Sequence, residues 1–355
     1  MEQQAGPVNW ADWNALPLPG MVRAWTWEAF AHGAELVSYF RWRQLPFGQE
    51  QMHSGLNRPD GALDDGGREA AQVGAEIGRL LAAGDAASLA MRPAAVALVM
   101  DYPSLWMAQI QPQGKDMAGF GPMLAYYGAL RRLGLDVDIV APDASLAGYA
   151  LVVLPGTLHL DEALAERRRG SRAVAVAGPP TGSKPAGLAL AEPLPPGPLR
   201  EWLPVRVRAV ESMRPGRTLA IDAGAHGHGV GWQWRDLIEL DARDAADGQD
   251  VRVLARYEDG APAWLARGRF HLHAGHVDTE LLLRWVDAAA REAGLSPLAP
   301  EALAPGLRLR RRGQWLFAIH RGPQPAVVPV PPGAIPLLGG ATLPPGGVGI
   351  WHLSD

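Results

Sequence analysis

The chain has 355 residues, and its 33 Lys and Arg against 37 Asp and Glu give a formal net charge of −4. This mild balance argues against a nucleic-acid surface or an anionic membrane as the main partner, and we expect neither. The sequence contains no cysteine, which excludes disulfides, thiolate nucleophiles and cysteine-ligated zinc sites. No apolar run approaches the ~18 residues of a membrane helix, and the N-terminus does not resemble a secretory signal, so we expect a cytoplasmic protein.

Apolar periodicity divides the chain into three regions, of which the first covers residues 1–88. Its predicted elements are a helix at Met21–His32, a strand at Leu36–Phe40 and a second helix at Glu69–Leu81. A long polar loop separates the strand from the second helix. A single strand with its helices cannot close a core alone, so this region predicts a fragment of an alternating α/β fold.

The second region, residues 89–295, alternates continuous apolar strands with helices. The predicted strands are Ala95–Met100, Asp136–Val140, Tyr149–Leu154, Ala173–Ala177, Val205–Val210 and Val251–Tyr257, and the predicted helices are Gly121–Leu133, Asp161–Arg168 and Thr279–Glu292. Strands that are apolar on both faces and lie between helices are typical of a parallel sheet covered on both sides. The pattern predicts a doubly wound, flavodoxin-like domain.

The third region, residues 296–355, is rich in proline and in short apolar stretches. The predicted strands are Leu307–Arg311, Gln314–His320, Ala326–Val330 and Gly347–His352. Alternation of apolar and polar residues, interrupted by Pro-Pro and Gly-Gly turns, predicts a small β-sandwich.

Polar residues that could carry chemistry concentrate in the first region. Glu50 and His53 follow its predicted strand, and Glu2 lies at the start of the chain; the aromatic residues around them are Trp10, Tyr39, Phe40 and Trp42. In a (β/α)8 barrel the loop after a strand lies at the C-terminal face, where active sites sit. Carboxylates supply the nucleophile and the acid/base of sugar hydrolysis. Taken alone, the residues equally allow a surface loop with incidental carboxylates.

Four stretches of the first region resemble, in order, β-galactosidases of glycoside hydrolase family 42. They are residues 1–10, 19–34, 37–44 and 49–56. The resemblance continues more loosely along the chain. Residues 98–102, 111–113, 152–155 and 178–183 resemble the trimerisation domain of the family, and residues 306–313 and 349–352 resemble its C-terminal β-domain.

The resemblance implies a fold, an activity and an assembly. It implies a remnant of a (β/α)8 catalytic barrel, then a flavodoxin-like trimerisation domain, then a C-terminal β-sandwich, within the three regions given above. It also implies retaining hydrolysis of terminal non-reducing β-D-galactose residues, a β-galactoside substrate, a homotrimer, and no cofactor or metal.

The resemblance also assigns roles to five residues of the first region. Glu2 falls on the catalytic nucleophile, the carboxylate that would form a glycosyl-enzyme ester. Trp10 and Phe40 fall on aromatic residues that line the galactose subsite. Glu50 and His53 fall on the pair that hydrogen-bonds galactose hydroxyls. Such contacts give selectivity, because a buried polar group that the wrong epimer leaves unpaired costs ~1–3 kcal/mol.

The second carboxyl group of a retaining glycosidase has no assigned residue in this sequence. In the family the acid/base Glu follows an Asn on an earlier barrel strand, which would precede Glu2, and Glu28, Glu35 and Glu69 lie outside the matched site. The chain therefore resembles the C-terminal half of such an enzyme. We expect it to be inactive alone and to need the N-terminal barrel half, for which a separate chain is the candidate source.

Two other functions are compatible with the residues. One is a non-catalytic assembly or binding module built on the flavodoxin-like domain, which lacks a cysteine nucleophile and a G-x-G-x-x-G turn for dinucleotides. The other is a metal-dependent hydrolase, whose candidate ligands are His271, His273 and His276 with His226 and His228. A polar strand edge is the favoured explanation of these histidines.

Overall fold

A computed structural model describes residues 2–84, 89–91, 93–117, 119–160, 162–169, 171–190, 194–240, 250–297 and 301–353. Contacts between Cα atoms divide the chain into two compact units. The first unit comprises residues 1–93 together with 298–355, and the second comprises residues 94–297. None of the helices in the described ranges is long and apolar enough to cross a membrane.

The secondary structure alternates through most of the chain. Residues 1–93 hold β1 (Glu2–Gln4), α1 (Met21–Ala31), β2 (Ser38–Phe40) and α2 (Asp65–Ala83). Residues 94–297 hold β3 (Val96–Val99), α3 (Tyr102–Ile110), α4 (Gly121–Arg132), β4 (Val137–Val140), β5 (Leu151–Leu154), α5 (Glu162–Arg169), β6 (Val174–Ala177), β7 (Val205–Ser212), β8 (Thr218–Asp222), β9 (His228–Leu240), β10 (Arg252–Tyr257), β11 (Pro262–Arg267), β12 (Phe270–His273), β13 (Gly275–Val277) and α6 (Thr279–Glu292). Residues 298–355 hold β14 (Leu307–Arg312), β15 (Trp315–His320), β16 (Ala326–Val327), β17 (Ile335–Leu338), β18 (Thr342–Leu343) and β19 (Val348–His352).

The described part of residues 1–93 contains two parallel strands, each followed by a loop and a helix. β1 pairs with β2 in a register that aligns Glu2 with Ser38 and Gln4 with Phe40. Because the strands are parallel, the loops that follow them leave from the same edge. This edge carries the candidate site.

The first unit buries its helices against the C-terminal strands. β14, β15, β19 and β17 form a four-stranded antiparallel sheet, and β16 pairs with β18 in a second small sheet. Trp27 of α1 is buried, and its ring centroid lies 6.1 Å from that of Phe317 in β15. The apolar face of α1 therefore belongs to the same core as one face of the four-stranded sheet. The two small sheets confirm the predicted C-terminal β-sandwich.

A buried carboxylate ties α1 to α2. Glu76 of α2 accepts hydrogen bonds from Arg23 Nε at 2.9 and 3.0 Å, from Trp27 Nε1 at 2.8 Å and from Gln72 Nε2 at 2.8 Å. Burial by itself would raise the pKa of Glu76, but these donors outweigh it and hold the pKa below its ordinary value. The charged form of Glu76 is therefore the one that joins the two helices.

The second unit confirms the predicted flavodoxin-like domain. Its parallel strands lie in the order β4-β3-β5-β6-β12, which is the 2-1-3-4-5 order of flavodoxin-like sheets. Beyond β12 the sheet continues antiparallel through β11, β10, β8, β9 and β13, with β7 also paired to β9.

Several observed elements differ from the predicted ones. The helix expected at Asp161–Arg168 is α5, and Asp161 itself lies outside the described residues. The predicted strand Ala326–Val330 pairs only over β16, because Pro329 cannot donate to a sheet. Helix α3 and strands β1, β8, β9, β11–β13, β17 and β18 were not predicted.

Candidate active site

The candidate site lies on the loops that follow β1 and β2, residues 5–20 and 41–64. The two loops are joined by a backbone hydrogen bond from Ser54 N to Pro7 O at 3.0 Å. Helix α2 begins directly against the first loop. A Cβ atom on Gly66 would lie 1.7 Å from Ala5 O, so only glycine allows the first turn of α2 to come this close.

His53 is a buried polar residue of the site. Its Nδ1 atom lies 3.3 Å from Asn9 Oδ1, and its ring meets the Phe40 ring edge-on with centroids 5.1 Å apart. Burial and the neighbouring Arg41 charge lower the pKa of His53, against the opposite effects of Glu50 and Glu2. The imidazole is therefore neutral near pH 7, with one nitrogen able to donate and one able to accept.

An arginine joins the aromatic and acidic parts of the site. The Arg41 guanidinium forms an ion pair with Glu50, and its Cζ lies 4.5 Å from the centroid of the Phe40 ring. The Arg41 side chain is 11% exposed, whereas that of Glu50 is 49% exposed. Arg41 thus pairs with the Glu50 carboxylate while lying over one face of Phe40.

The other two predicted site residues, Glu2 and Trp10, are exposed. Glu2 is exposed on β1, and its charge is among those that act on His53. Trp10 is 69% exposed, and among the described residues it makes no hydrogen bond or ring contact with the other four. The structure therefore groups Phe40, Glu50 and His53, with Glu2 within electrostatic range and Trp10 open to solvent. The catalytic and substrate-binding roles of all five remain predictions.

Two residues of this cluster were not predicted. Arg41 follows Phe40 directly, and Asn9 precedes Trp10. The sequence carried a signal for Arg41, since an arginine next to a strand aromatic and nine positions before an acidic residue can reach both. It carried no comparable signal for Asn9, because its contact with His53 depends on how two distant loops meet.

His271 and His273, two of the candidate metal ligands, are buried in the second unit. His271 accepts a hydrogen bond from Trp264 Nε1 at 3.1 Å and lies 3.0 Å from Glu292 Oε2. His273 Nδ1 lies 2.7 Å from the Tyr126 hydroxyl. Within the described ranges no group of three or more His, Asp or Glu side chains could hold a metal ion.

Comparison with known proteins gives two family matches. The family described as β-galactosidase, glycoside hydrolase family 42, matches residues 1–80. The family described as β-galactosidase trimerisation domain matches residues 94–296.

Relatives cover the chain along its whole length. A β-galactosidase from Thermus thermophilus is 45% identical over 99% of this chain, which spans 52% of that relative. The β-galactosidase Bga of Halorubrum lacusprofundi is 42% identical over 60% of this chain, which spans 30% of that relative. The chain thus spans about half the length, or less, of these curated relatives.

Solved structures give the same result. The crystal structure of the β-galactosidase from the psychrophilic Marinomonas ef1 matches with a TM-score of 0.91 and 39% identity, covering 100% of this chain and 52% of the other. The β-galactosidase from Halorubrum lacusprofundi matches with a TM-score of 0.87 and 30% identity, covering 99% of this chain and 52% of the other.

Proposed function

Because the chain belongs to the β-galactosidases of glycoside hydrolase family 42, we propose that it supplies the nucleophile side of a retaining β-galactosidase site. Glu2 is the nucleophile in this proposal. Phe40, Glu50 and His53 bind galactose, and Trp10 stacks on it. The observation that carries the proposal is the cluster of Phe40, Glu50 and His53 beside Glu2, at the edge where the β1 and β2 loops leave the sheet.

The chemistry follows from the properties of these groups. The Glu2 carboxylate attacks the anomeric carbon and forms a glycosyl ester while the aglycone oxygen leaves with a proton. Glu50, held by Arg41, accepts hydrogen bonds from sugar hydroxyls. His53 Nδ1 is engaged with Asn9 Oδ1, so the neutral ring offers its Nε2 atom to a sugar hydroxyl. Phe40 gives the apolar surface between them.

The proton for the leaving group comes from outside this cluster in our proposal. A retaining glycosidase needs a second carboxyl group about 5–5.5 Å from the first. Glu28 forms an ion pair with Arg321, and Glu69 accepts the backbone N–H groups of Gly20 and Arg23. These partners favour structural roles for both. We therefore propose that the remaining barrel strands supply the acid/base and that this chain does not hydrolyse galactosides alone.

Complementation tests the proposal. The chain would be co-expressed with the part of the Thermus thermophilus relative that precedes the matched region, and hydrolysis of o-nitrophenyl β-D-galactoside would be measured. We expect turnover from the pair and none from the chain alone. Glu2→Gln should abolish turnover by the pair, whereas Glu28→Gln should retain it. Undiminished turnover with Glu2→Gln would contradict the proposed nucleophile.

The match of residues 94–296 to a trimerisation domain favours a second candidate, an assembly module without activity of its own. A homotrimer that binds no galactose, and that gives no turnover with the complementing barrel half, would support this candidate over the first.

A further inference from the structure

The second unit contains a cavity of about 480 Å³ at the carboxyl ends of its parallel strands. The cavity is bordered by Met100 and Asp101 after β3, by the segment 155–158 after β5 and by Lys184 after β6. β3 and β5 are neighbours in the sheet, and the chain order reverses between them. Ligands of doubly wound domains bind outside the strand ends at this switch point, and the volume lies within the usual range for small-molecule sites.

The walls of the cavity are mainly apolar and adaptable. Four of the nine methionines of the chain line it, together with Leu105 and Trp234; the four are Met100, Met107, Met117 and Met123. Thioether side chains adjust their shape to a ligand at little cost. These walls suit an apolar body of variable shape better than a sugar or a nucleotide.

The acidic group at the cavity, Asp101, is hydrogen-bonded within the protein through one of its two carboxylate oxygens. Asp101 accepts hydrogen bonds from the Ser104 backbone N–H at 3.2 Å and from the Ser104 hydroxyl. The Ser104 hydroxyl oxygen in turn accepts from Leu158 N at 2.8 Å. This chain of bonds fixes the start of α3 against the segment after β5, so Asp101 shapes the site and does not call for a cationic ligand.

The basic group has no such partner. Lys184 is half-buried, and its ammonium makes no hydrogen bond or ion pair with the residues that the structure describes. Its backbone is nevertheless fixed, since Lys184 N donates to Leu158 O at 3.0 Å and Lys184 O lies 3.1 Å from His159 Nδ1. A positive charge held on a fixed backbone beside an apolar cavity complements an anionic group on an apolar ligand.

We propose that this cavity binds a small monocarboxylate with an apolar body, whose carboxylate pairs with Lys184. The body occupies the methionine-lined space against Leu105 and Trp234, and the carboxylate faces the segment after β6. Every residue that lines the cavity belongs to the second unit, whereas the residues of the proposed galactoside site belong to the first.

Octanoate and its uncharged analogue octan-1-ol are the probes, titrated into the full chain by isothermal calorimetry. We expect octanoate to bind about tenfold more tightly than octan-1-ol, as a charged hydrogen bond predicts. Lys184→Met should lower the affinity for octanoate to that for octan-1-ol and leave the latter unchanged. Lys115→Met, at the other lysine of the chain, should change neither.

A second variant keeps the test decisive. Ala108→Trp narrows the cavity from α3 and should abolish binding of both probes, while circular dichroism checks that each variant is folded. Failure of wild-type protein to bind octanoate, or equal binding by wild type and a folded Lys184→Met variant, would overturn the proposal. Because no galactoside is involved, neither result depends on the proposed catalytic function.

Discussion

Asp236, on β9, is a buried carboxylate, and the Trp234 indole donates a hydrogen bond to its Oδ1 atom at 2.8 Å. Burial raises its pKa to about 7, against a smaller opposite effect of the indole. A carboxyl whose folded pKa is raised contributes stability that is fully present below its unfolded pKa and is lost as pH rises to the folded one. The folded state therefore loses stability between pH ~4 and ~7 through this residue.

Replacing the titrating group with an amide should remove that loss. We expect Asp236→Asn to be more stable than wild type by up to ~4 kcal/mol above pH 7 and to show no such gain near pH 4. Thermal unfolding from pH 4 to 8 measures the difference. Asp143→Asn, which removes an exposed carboxylate, is the control and should show no trend. A stability difference between Asp236→Asn and wild type that stays constant with pH would contradict the account.

Single residues of the candidate site were predictable to different degrees. Phe40, Glu50 and His53 were found because they lie in two neighbouring stretches that resemble the family, and the structure places them in contact or joins them through Arg41. The contact of Asn9 with His53 spans 44 positions, and no local pattern encodes such a separation. The exposure of Trp10 was not predictable either, because the sequence does not show whether a neighbouring loop covers its ring.

At the scale of elements, helix α1 begins at a residue without a side chain to cap it. Gly20 precedes the helix, and the missing acceptor comes from α2, where Glu69 accepts from Gly20 N at 2.7 Å and from Arg23 N at 2.9 Å. A carboxylate at a helix N-terminus also opposes the positive end of the helix dipole. One side chain thus both caps α1 and joins the two helices.

Removing this cap should loosen α1 selectively. We expect Glu69→Ala to destabilise α1 by ~1–2 kcal/mol and therefore to speed its amide exchange by about 5–30-fold. Glu69→Gln should have a smaller effect, because the amide keeps one acceptor oxygen. Hydrogen–deuterium exchange measured by mass spectrometry localises the change to α1. A global unfolding experiment on a chain of two units would not localise it. Glu35→Ala, at an exposed glutamate, is the control. Unchanged exchange in α1 for Glu69→Ala would refute the capping role.

Elements with a strong local sequence pattern were predictable, whereas strands that depend on pairing with other strands were not. β3, β5 and β6 are short apolar runs buried on both faces, and α6 agrees with its predicted ends because Asp278 caps it. In contrast, β9 carries register shifts against β7 and β13 that break its alternation. Helix α3 was missed because its apolar residues lie on both faces, some lining the cavity and others exposed to solvent.

At the scale of the whole molecule, the division into three domains at residues 88/89 and 295/296 stays a prediction. The structure adds that the first and last of these regions share a core, through Trp27 and Phe317. Residues distant in sequence thus depend on each other for burial, which no reading of each region in isolation could have anticipated. The trimer implied by the family also remains to be tested on this chain.

We expect self-association of the chain to depend on the exposed face of α3. Tyr102, Trp106 and Ile110 repeat every four residues and are 51%, 57% and 76% exposed, an apolar stripe that a monomer would leave in water. We expect the full chain to elute as a trimer, with three times the mass of one chain by light scattering, and Trp106→Asp with Ile110→Asp to shift it toward monomer. Val327→Asp, at a residue 70% exposed in β16, should leave the mass unchanged. A trimer that survives both α3 substitutions would place the interface elsewhere.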